Sequence, residues 1–214
     1  MNPVGDRKGF ARLRGQLLCC TALSGMALVL FPSNRAAAIS ASDATSAVNA
    51  AASSSGSTTT VTMAPGANRA VISWKSLTVD SPEVLKFLFN GKDGVALNVV
   101  TGTGPGTAKA QIFGKLLGCV AACPNYGGNI WISAPEGVLI GNGATINTGG
   151  LLATTSPLSL STSNFIAGNE ATSGTNHVFE FSDGKGAVTV GDAHITLHGG
   201  TLALIAPTVT TAAN

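Results

Sequence analysis

Two histidines near the C-terminal end are the first residues of this chain whose spacing could do chemistry. His194 and His198 fall on one face of the strand-like segment 193–198, opposite Ile195 and Leu197. In a β-strand, four positions span about 13 Å, which is too far for both rings to bind one metal ion. The pattern therefore predicts solvent-facing histidines and no metal site.

The carboxylates that could form a catalytic pair are Glu180, Asp183 and Asp192, which glycine corners separate. Acid/base pairs of glycosidases need two carboxyl groups roughly 5–10 Å apart, and no nucleophile–base pair stands out in the sequence. The glycine-rich segment 102–109 lacks the Gly-Lys-Ser/Thr ending of a phosphate-binding loop, and the Gly-x-Gly at 141–143 precedes a strand instead of a helix. The sequence therefore predicts a protein that is not an enzyme and has no cofactor.

Trp131 is a candidate surface anchor for a partner. It alternates with Ile130 and Ile132, so its side chain is predicted on the outer face of a strand whose inner face is apolar. A surface tryptophan can dominate a protein–protein contact. The alternative is that Trp131 packs under a neighbouring loop, such as 119–128.

The first 38 residues have the three parts of a cleaved signal peptide. Residues 17–31 are an apolar run ended by Pro32, and Ala36-Ala37-Ala38 supplies the small residues of a cleavage site. Fifteen apolar residues fall short of the ~20 that a membrane-spanning helix needs, so we expect cleavage instead of anchoring, and no membrane-spanning segment afterwards. The positively charged part that precedes this run consists of Arg7, Lys8, Arg12 and Arg14.

The charge of the remaining chain argues against a nucleic-acid partner. The whole sequence carries +2, but the part after residue 38 holds seven basic and nine acidic residues. A protein that binds nucleic acid presents a basic field to the phosphates. No such field is predicted here.

Two cysteines remain after the signal peptide, Cys119 and Cys123. In an exported protein, two thiols four positions apart are expected to form a small loop-closing disulfide. Two free thiols are the alternative. A metal site needs about four ligands, and no further histidine or cysteine lies nearby in the sequence.

The stretch 129–157 consists of short alternating apolar runs separated by glycine, proline and asparagine corners, which is typical of strands joined by tight turns. A similar pattern returns at 178–207, first with a shift of 49 residues and then of 50. Such self-similarity predicts a stacked solenoid. Because coils of this kind use roughly 20–29 residues, the shift predicts two coils.

Three regions are predicted: the signal peptide 1–38, an Ala/Ser/Thr-rich extension 39–66, and a β-solenoid domain 67–214. The extension has few large apolar residues, so it is not expected to fold alone. A solenoid needs its open apolar end covered by a terminal unit, and residues 67–100 are placed to be that cap. Residues 108–117 are the stretch expected to take a short helical turn.

Several segments together resemble a known family. In order, these are an Ile-x-Trp strand and the runs Val95–Val100, Gly128–Gly141, Ala144–Thr155, Ser163–Gly168 and Gly199–Pro207. Over residues 67–214 the chain looks like the N-terminal secretion domain of filamentous-haemagglutinin-type exoproteins. These are the cargo half of two-partner secretion (TPS) systems in Gram-negative bacteria.

The resemblance implies a right-handed parallel β-helix with an N-terminal β cap. It also implies a partner, the POTRA domains of an outer-membrane barrel transporter, and export followed by folding at the cell surface, with a role as an adhesin. The family's Asn-Pro-Asn-Gly-hydrophobic turn corresponds to Ala134, Pro135, Glu136, Gly137 and Val138, which this likeness marks as the transporter-recognition turn. Pro135, Gly137 and Val138 agree with the family, whereas Ala134 and Glu136 replace its asparagines.

Two other functions remain open from the sequence. One is a self-contained surface β-helix that binds host or neighbouring-cell glycans or proteins. The other is a β-helix enzyme that degrades polysaccharides, which would depend on the carboxylates named above. The leading hypothesis is the secretion and targeting module.

Overall fold

The computed structural model describes residues 39–157, 161–168, 181 and 184–212, and these residues form short strands with one helix. The helix, α1, is Thr162–Ala167, and a single 3-10 turn spans Ala41–Asp43. The strands are β1 Ala44–Val48, β2 Ala50–Ser55, β3 Thr58–Met63, β4 Arg69–Trp74, β5 Leu77–Val79, β6 Val84–Phe89, β7 Val95–Val100, β8 Lys109–Ile112, β9 Lys115–Val120, β10 Asn129–Ser133, β11 Gly137–Ile140, β12 Thr145–Thr148, β13 Gly150–Thr154, β14 Ala187–Val190, β15 His194–Leu197, β16 Leu202–Ile205 and β17 Thr208–Thr211.

These strands form three sheets along a solenoid. Sheet 1 has the order β1-β4-β7-β10-β13-β16, sheet 2 the order β17-β14-β11-β8-β5, and sheet 3 the order β15-β12-β9-β6-β3-β2. From β4 onwards, each coil gives one strand to each sheet, and neighbouring coils pair in parallel. The predicted all-β parallel β-helix is confirmed.

The core follows from the alternation of side chains along each strand. In β10 the buried Ile130 and Ile132 point inward, and Ile130 stacks on Leu151 of the next coil. A fully buried side chain of this size contributes roughly 1.5–3 kcal/mol through removal from water. Since no single coil can cover its own apolar residues, this stabilisation arises only when coils stack.

The repeat with a shift of 49–50 residues is one coil, and the prediction of two coils is wrong. Ile146 pairs directly with Ile195 in neighbouring strands of sheet 3. In sheet 1, Leu151 pairs with Leu202, so the shift there is 51 and the alignment inferred from the double glycines is one residue out of register. The coil is long because α1 is inserted between β13 and β14.

The N-terminal end of the solenoid differs from the expected arrangement. Residues predicted as an extension supply β1, β2 and β3, of which β1 pairs antiparallel with β4 and β2 antiparallel with β3. The predicted cap at 67–100 is wrong, because β4 and β7 are parallel members of the stack. The small side chains of 39–66 suffice for strands at the end of the solenoid, because these strands bury few large residues of their own.

The expected helical turn at 108–117 is also wrong, because this stretch forms β8 and β9 with a corner at Gly114. A Cβ at Gly114 would lie 2.5 Å from the carbonyl oxygen of Asp80. The corner therefore needs glycine so that one coil can approach the next. The parallel register with β5 and β6 overrides the local helical spacing.

Candidate functional site

The turn 134–138 connects β10 of sheet 1 to β11 of sheet 2. The Gly137 amide donates to the carbonyl oxygen of Ala134 at 3.0 Å, which closes a four-residue turn. Gly137 has a φ of 140°, in the region that favours glycine. Ala134 and Val138 are buried, while Pro135 and Glu136 are half-buried at the corner of the solenoid.

The backbone of this turn is held between the coils before and after it. The Glu136 amide donates to the carbonyl oxygen of Ala108 at 3.1 Å, and the carbonyl oxygen of Pro135 accepts from the Gly186 amide at 3.0 Å. A Cβ on Gly186 would collide with the backbone of Glu136 and Gly137. The turn is thus built into a column of corners and does not protrude as a loop.

This stacking accounts for a turn without the family's two asparagines. Asparagine side chains stabilise turns by bonding to the backbone two residues on. Here the polar backbone groups of Pro135 and Glu136 find partners in adjacent coils. The methyl group of Ala134 is fully buried in the core, where an asparagine side chain would need its own hydrogen-bond partners.

A shallow groove of about 260 Å³ lies beside the turn on the outer face of sheet 2. Small residues of the neighbouring coils, Gly137 and Ala187, leave room between the longer side chains. Its lining also includes Glu136 of the turn and, from β8, β11 and β14, Lys109, Gln111, Leu139 and Thr189. Sequence reasoning missed the groove because the register between coils, and not any local motif, brings these residues together.

Trp131 lies on the outer face of sheet 1, as the alternation predicts, but α1 covers it. Its ring centroid is 5.7 Å from that of the buried Phe165, and both belong to an apolar cluster separate from the solenoid core. The Arg69 guanidinium lies 5.2 Å from the centroid of the Phe165 ring, and burial lowers the pKa of Arg69 through desolvation. The covering element is therefore α1, and not the loop 119–128 given as an example of the alternative. Trp131 is half-buried.

The structure contains a disulfide between Cys119 and Cys123, whose Cα atoms are 5.2 Å apart. The bridge closes a loop that turns back so that Tyr126 faces Cys119 in an isolated β-bridge. Tyr126 then stacks on His198, with ring centroids 5.1 Å apart. The loop thereby contacts a coil beyond its immediate neighbour in sheet 3.

Removing the bridge is expected to weaken the fold moderately. Cys123→Ser should lower stability by about 2 kcal/mol, because a short loop of this size restricts the unfolded chain by roughly that amount. A thermal scan should show that the Tm falls by about 4–8 °C. Ala122→Ser, at the neighbouring exposed position, serves as the control. An unchanged Tm of the wild-type protein in excess reductant would contradict the expectation.

The residues considered for metal or acid/base chemistry do not form a site within the part of the chain described here. His194 and His198 are both exposed, and no cluster of three or more metal-binding side chains occurs among the described residues. Asp192 is exposed at a corner, where its amide donates to the Asn142 side chain. Glu180 and Asp183 lie outside the described residues.

Comparisons with known proteins relate this chain to one family, one curated protein and one solved structure. The TPS secretion domain family matches residues 37–214. A curated relative, the heme/hemopexin-binding protein of Haemophilus influenzae, is 38% identical over 98 residues, which is 46% of this chain and 9% of that protein. The crystal structure of the HMW1 secretion domain from Haemophilus influenzae aligns with 77% of this chain and 43% of that chain, at 24% identity and a TM-score of 0.48.

This chain therefore spans a small part of the curated relative and less than half of the solved chain. No helix among the described residues is long and apolar enough to cross a membrane. The predicted signal peptide, residues 1–38, lies outside the described residues. Since the family match covers most of the sequence, the resemblance inferred from the motifs is confirmed, and the chain belongs to the TPS secretion domain family.

Proposed function

We propose that this domain directs export of its protein through an outer-membrane barrel transporter, and that the transporter's POTRA domains recognise the turn 134–138. The observation that carries the proposal is the family match over residues 37–214. The exported protein then folds at the surface of a Gram-negative bacterium, where the coils serve as a template for further coils. The match to a secretion domain favours this function over glycan binding and polysaccharide cleavage.

The position of the turn supports a role in recognition. Pro135 and Glu136 occupy a rigid corner, because the backbone of the turn bonds to both neighbouring coils. A rigid corner loses little conformational freedom when a partner binds. The groove beside it offers the partner both polar groups, such as Gln111, and the apolar side chain of Leu139.

The proposal is tested by binding between purified residues 39–214 and the POTRA pair of the transporter encoded next to this protein. A contact that must form and release during export is expected to have a Kd in the micromolar range. Isothermal titration calorimetry with about 100 μM of the POTRA pair would detect such a contact. No binding at that concentration would overturn the proposed recognition.

A charge reversal in the turn tests where the contact lies. Glu136→Lys should weaken POTRA binding about tenfold or more, since interface centres tolerate a reversed charge poorly. Asp93→Lys makes the same change at an exposed corner between β6 and β7, and it should bind as the wild type does. Equal affinities for both variants and the wild type would move the recognition site away from the turn.

A further inference from the structure

Glu83 is a buried carboxylate without a cationic partner in the part of the chain that the structure describes. Its side chain is only 7% exposed. The carboxylate accepts hydrogen bonds from two backbone amides, those of Asp80 at 3.0 Å and Ile39 at 3.3 Å. An ionised carboxylate held away from water normally has an opposite charge beside it. Both donors to Glu83 are neutral backbone amides.

The second of those donors is the residue that follows the predicted signal peptide. Cleavage sites of the Ala-x-Ala type have small residues at the last and third-last positions before the cut. Ala36 and Ala38 occupy these positions for a cut between Ala38 and Ile39. The donor to Glu83 is thus the nitrogen atom that such a cut would convert into the chain's α-amino group.

Ile39 is also fixed at this place by other contacts. Its side chain is 6% exposed and belongs to the solenoid core. Its carbonyl oxygen accepts from the Thr59 hydroxyl at 2.8 Å, in a buried hydrogen bond. Ala41, two residues on, donates from its amide to the Ser54 hydroxyl at 2.7 Å. The first residue of the predicted mature chain is therefore held both in its side chain and in its backbone.

We propose that Glu83 is the binding site for the new N-terminus and that signal-peptide removal completes the N-terminal end of the solenoid through an ion pair. Hydrolysis of the Ala38–Ile39 peptide bond consumes one water molecule and leaves a carboxylate on Ala38 and an ammonium group on Ile39. An α-ammonium group is charged at neutral pH. It replaces a neutral donor with a positive charge next to the buried carboxylate. The ion pair does not depend on any contact with a transporter.

The ion pair joins two parts of the N-terminal end of the solenoid. Ile39 precedes the 3-10 turn and β1, whereas Glu83 lies at the corner between β5 and β6 and its carbonyl oxygen accepts from the Lys115 amide of the next coil. Pairing these groups ties the start of the chain to the first complete coil. A precursor that retains residues before Ile39 has no charged nitrogen at this place.

The first test maps the N-terminus of the exported protein. The full chain is expressed with its own leader, recovered after export, and its N-terminal peptide is identified by mass spectrometry. The expected first residue is Ile39. A mature chain that starts at any other residue would overturn the proposal, because the α-amino group would then not be the nitrogen beside Glu83.

The second test compares two chain starts in a double-mutant cycle. Removal of a cleavable fusion yields one form that begins at Ile39 and one that begins at Ala37, each with Glu83 or with Glu83→Gln. The glutamine keeps the shape of the side chain but removes its charge. We expect the substitution to raise the unfolding equilibrium constant at least about tenfold more in the Ile39 form than in the Ala37 form, as for coupled charged groups. Asp93→Asn, at an exposed carboxylate, should affect both forms equally.

A third measurement reads the amino group itself. An amine-reactive aldehyde at neutral pH should modify the α-amino group of the Ile39 form at least about tenfold more slowly than that of the Ala37 form, and Glu83→Gln should restore the rate. Equal destabilisation of both forms, or equal labelling rates, would overturn the ion pair. Glu83 would then only accept the hydrogen bond from the Asp80 amide at its own corner.

Discussion

Gly149→Ala is expected to destabilise the solenoid by about 3 kcal/mol or more, because the added methyl group meets backbone and not a movable side chain. Gly149 lies at the corner between sheets 3 and 1. A Cβ there would collide with the carbonyl oxygen of Gly128 in the preceding coil and lie 2.9 Å from its nitrogen. The next coil is hydrogen-bonded to the same corner, since the Gly200 amide donates to the Gly149 carbonyl oxygen at 2.9 Å. Relief of the clash would require the backbone of Gly128 or of Gly149 to move.

Urea unfolding of the purified domain measures this effect through the shift of the midpoint at constant slope. Gly91→Ala is the matched control, because a Cβ at Gly91 meets nothing within 4 Å and the residue has no positive φ. It should be neutral or stabilise the protein by up to about 1 kcal/mol. If Gly149→Ala behaved like this control, the corners would not be in close backbone contact and the stacking of coils would need another explanation.

The same glycine corners show how far the sequence predicts this fold. The double glycine at the start of β13 and its counterpart before β16 indicate the repeat, and alternation around Ile130 and Ile146 assigns the inward faces correctly. The sequence did not indicate that α1 is an insertion within a single coil, between β13 and β14. Periodicity records only the distance along the chain, so an insertion of one coil length is indistinguishable from an additional coil.

The sequence predicts the turn of the candidate site but not the groove beside it or the covering of Trp131. Pro135 and Gly137 identified a turn from their backbone preferences, and this turn is present. The groove next to it was not predictable, because pairing between three coils places Lys109 beside Gly137 and Thr189 beside Leu139. The position of α1 over Trp131 also depends on a contact between two residues that are far apart in the sequence, Trp131 and Phe165.

Asn98→Ala is expected to lower the free energy of unfolding by about 3–4 kcal/mol, because one of the few polar side chains inside the solenoid is lost. Asn98 is fully buried and accepts a hydrogen bond from the indole nitrogen of Trp74 at 2.9 Å. Its amide nitrogen donates to the carbonyl oxygens of Ala96 and Trp131, each at 3.1 Å. Removing the side chain leaves the indole N–H without its acceptor and opens a cavity, and urea unfolding would measure the loss.

A double-mutant cycle with Asn98→Leu and Trp74→Phe separates the effect of the Asn98–Trp74 hydrogen bond on stability from the effect of the cavity. Each single substitution leaves one buried polar group unmatched, whereas the double variant removes both partners and can be nearly neutral by comparison. We expect a coupling energy of about 1–2 kcal/mol. Asn147→Ala, on the outward face of β12, is the control and should change stability by less than about 0.5 kcal/mol.

Additive effects in that cycle would mean that Asn98 acts through its backbone contacts alone. A coupled pair instead explains why a polar residue lies in a largely apolar core. Asn98 bonds to Trp74 in the coil before it and to the Trp131 carbonyl in the coil after it. A shift of either neighbour by one residue would turn its side chains to the opposite face of the sheet and break these bonds. The apolar core favours stacking in general, whereas the asparagine selects one register for three successive coils.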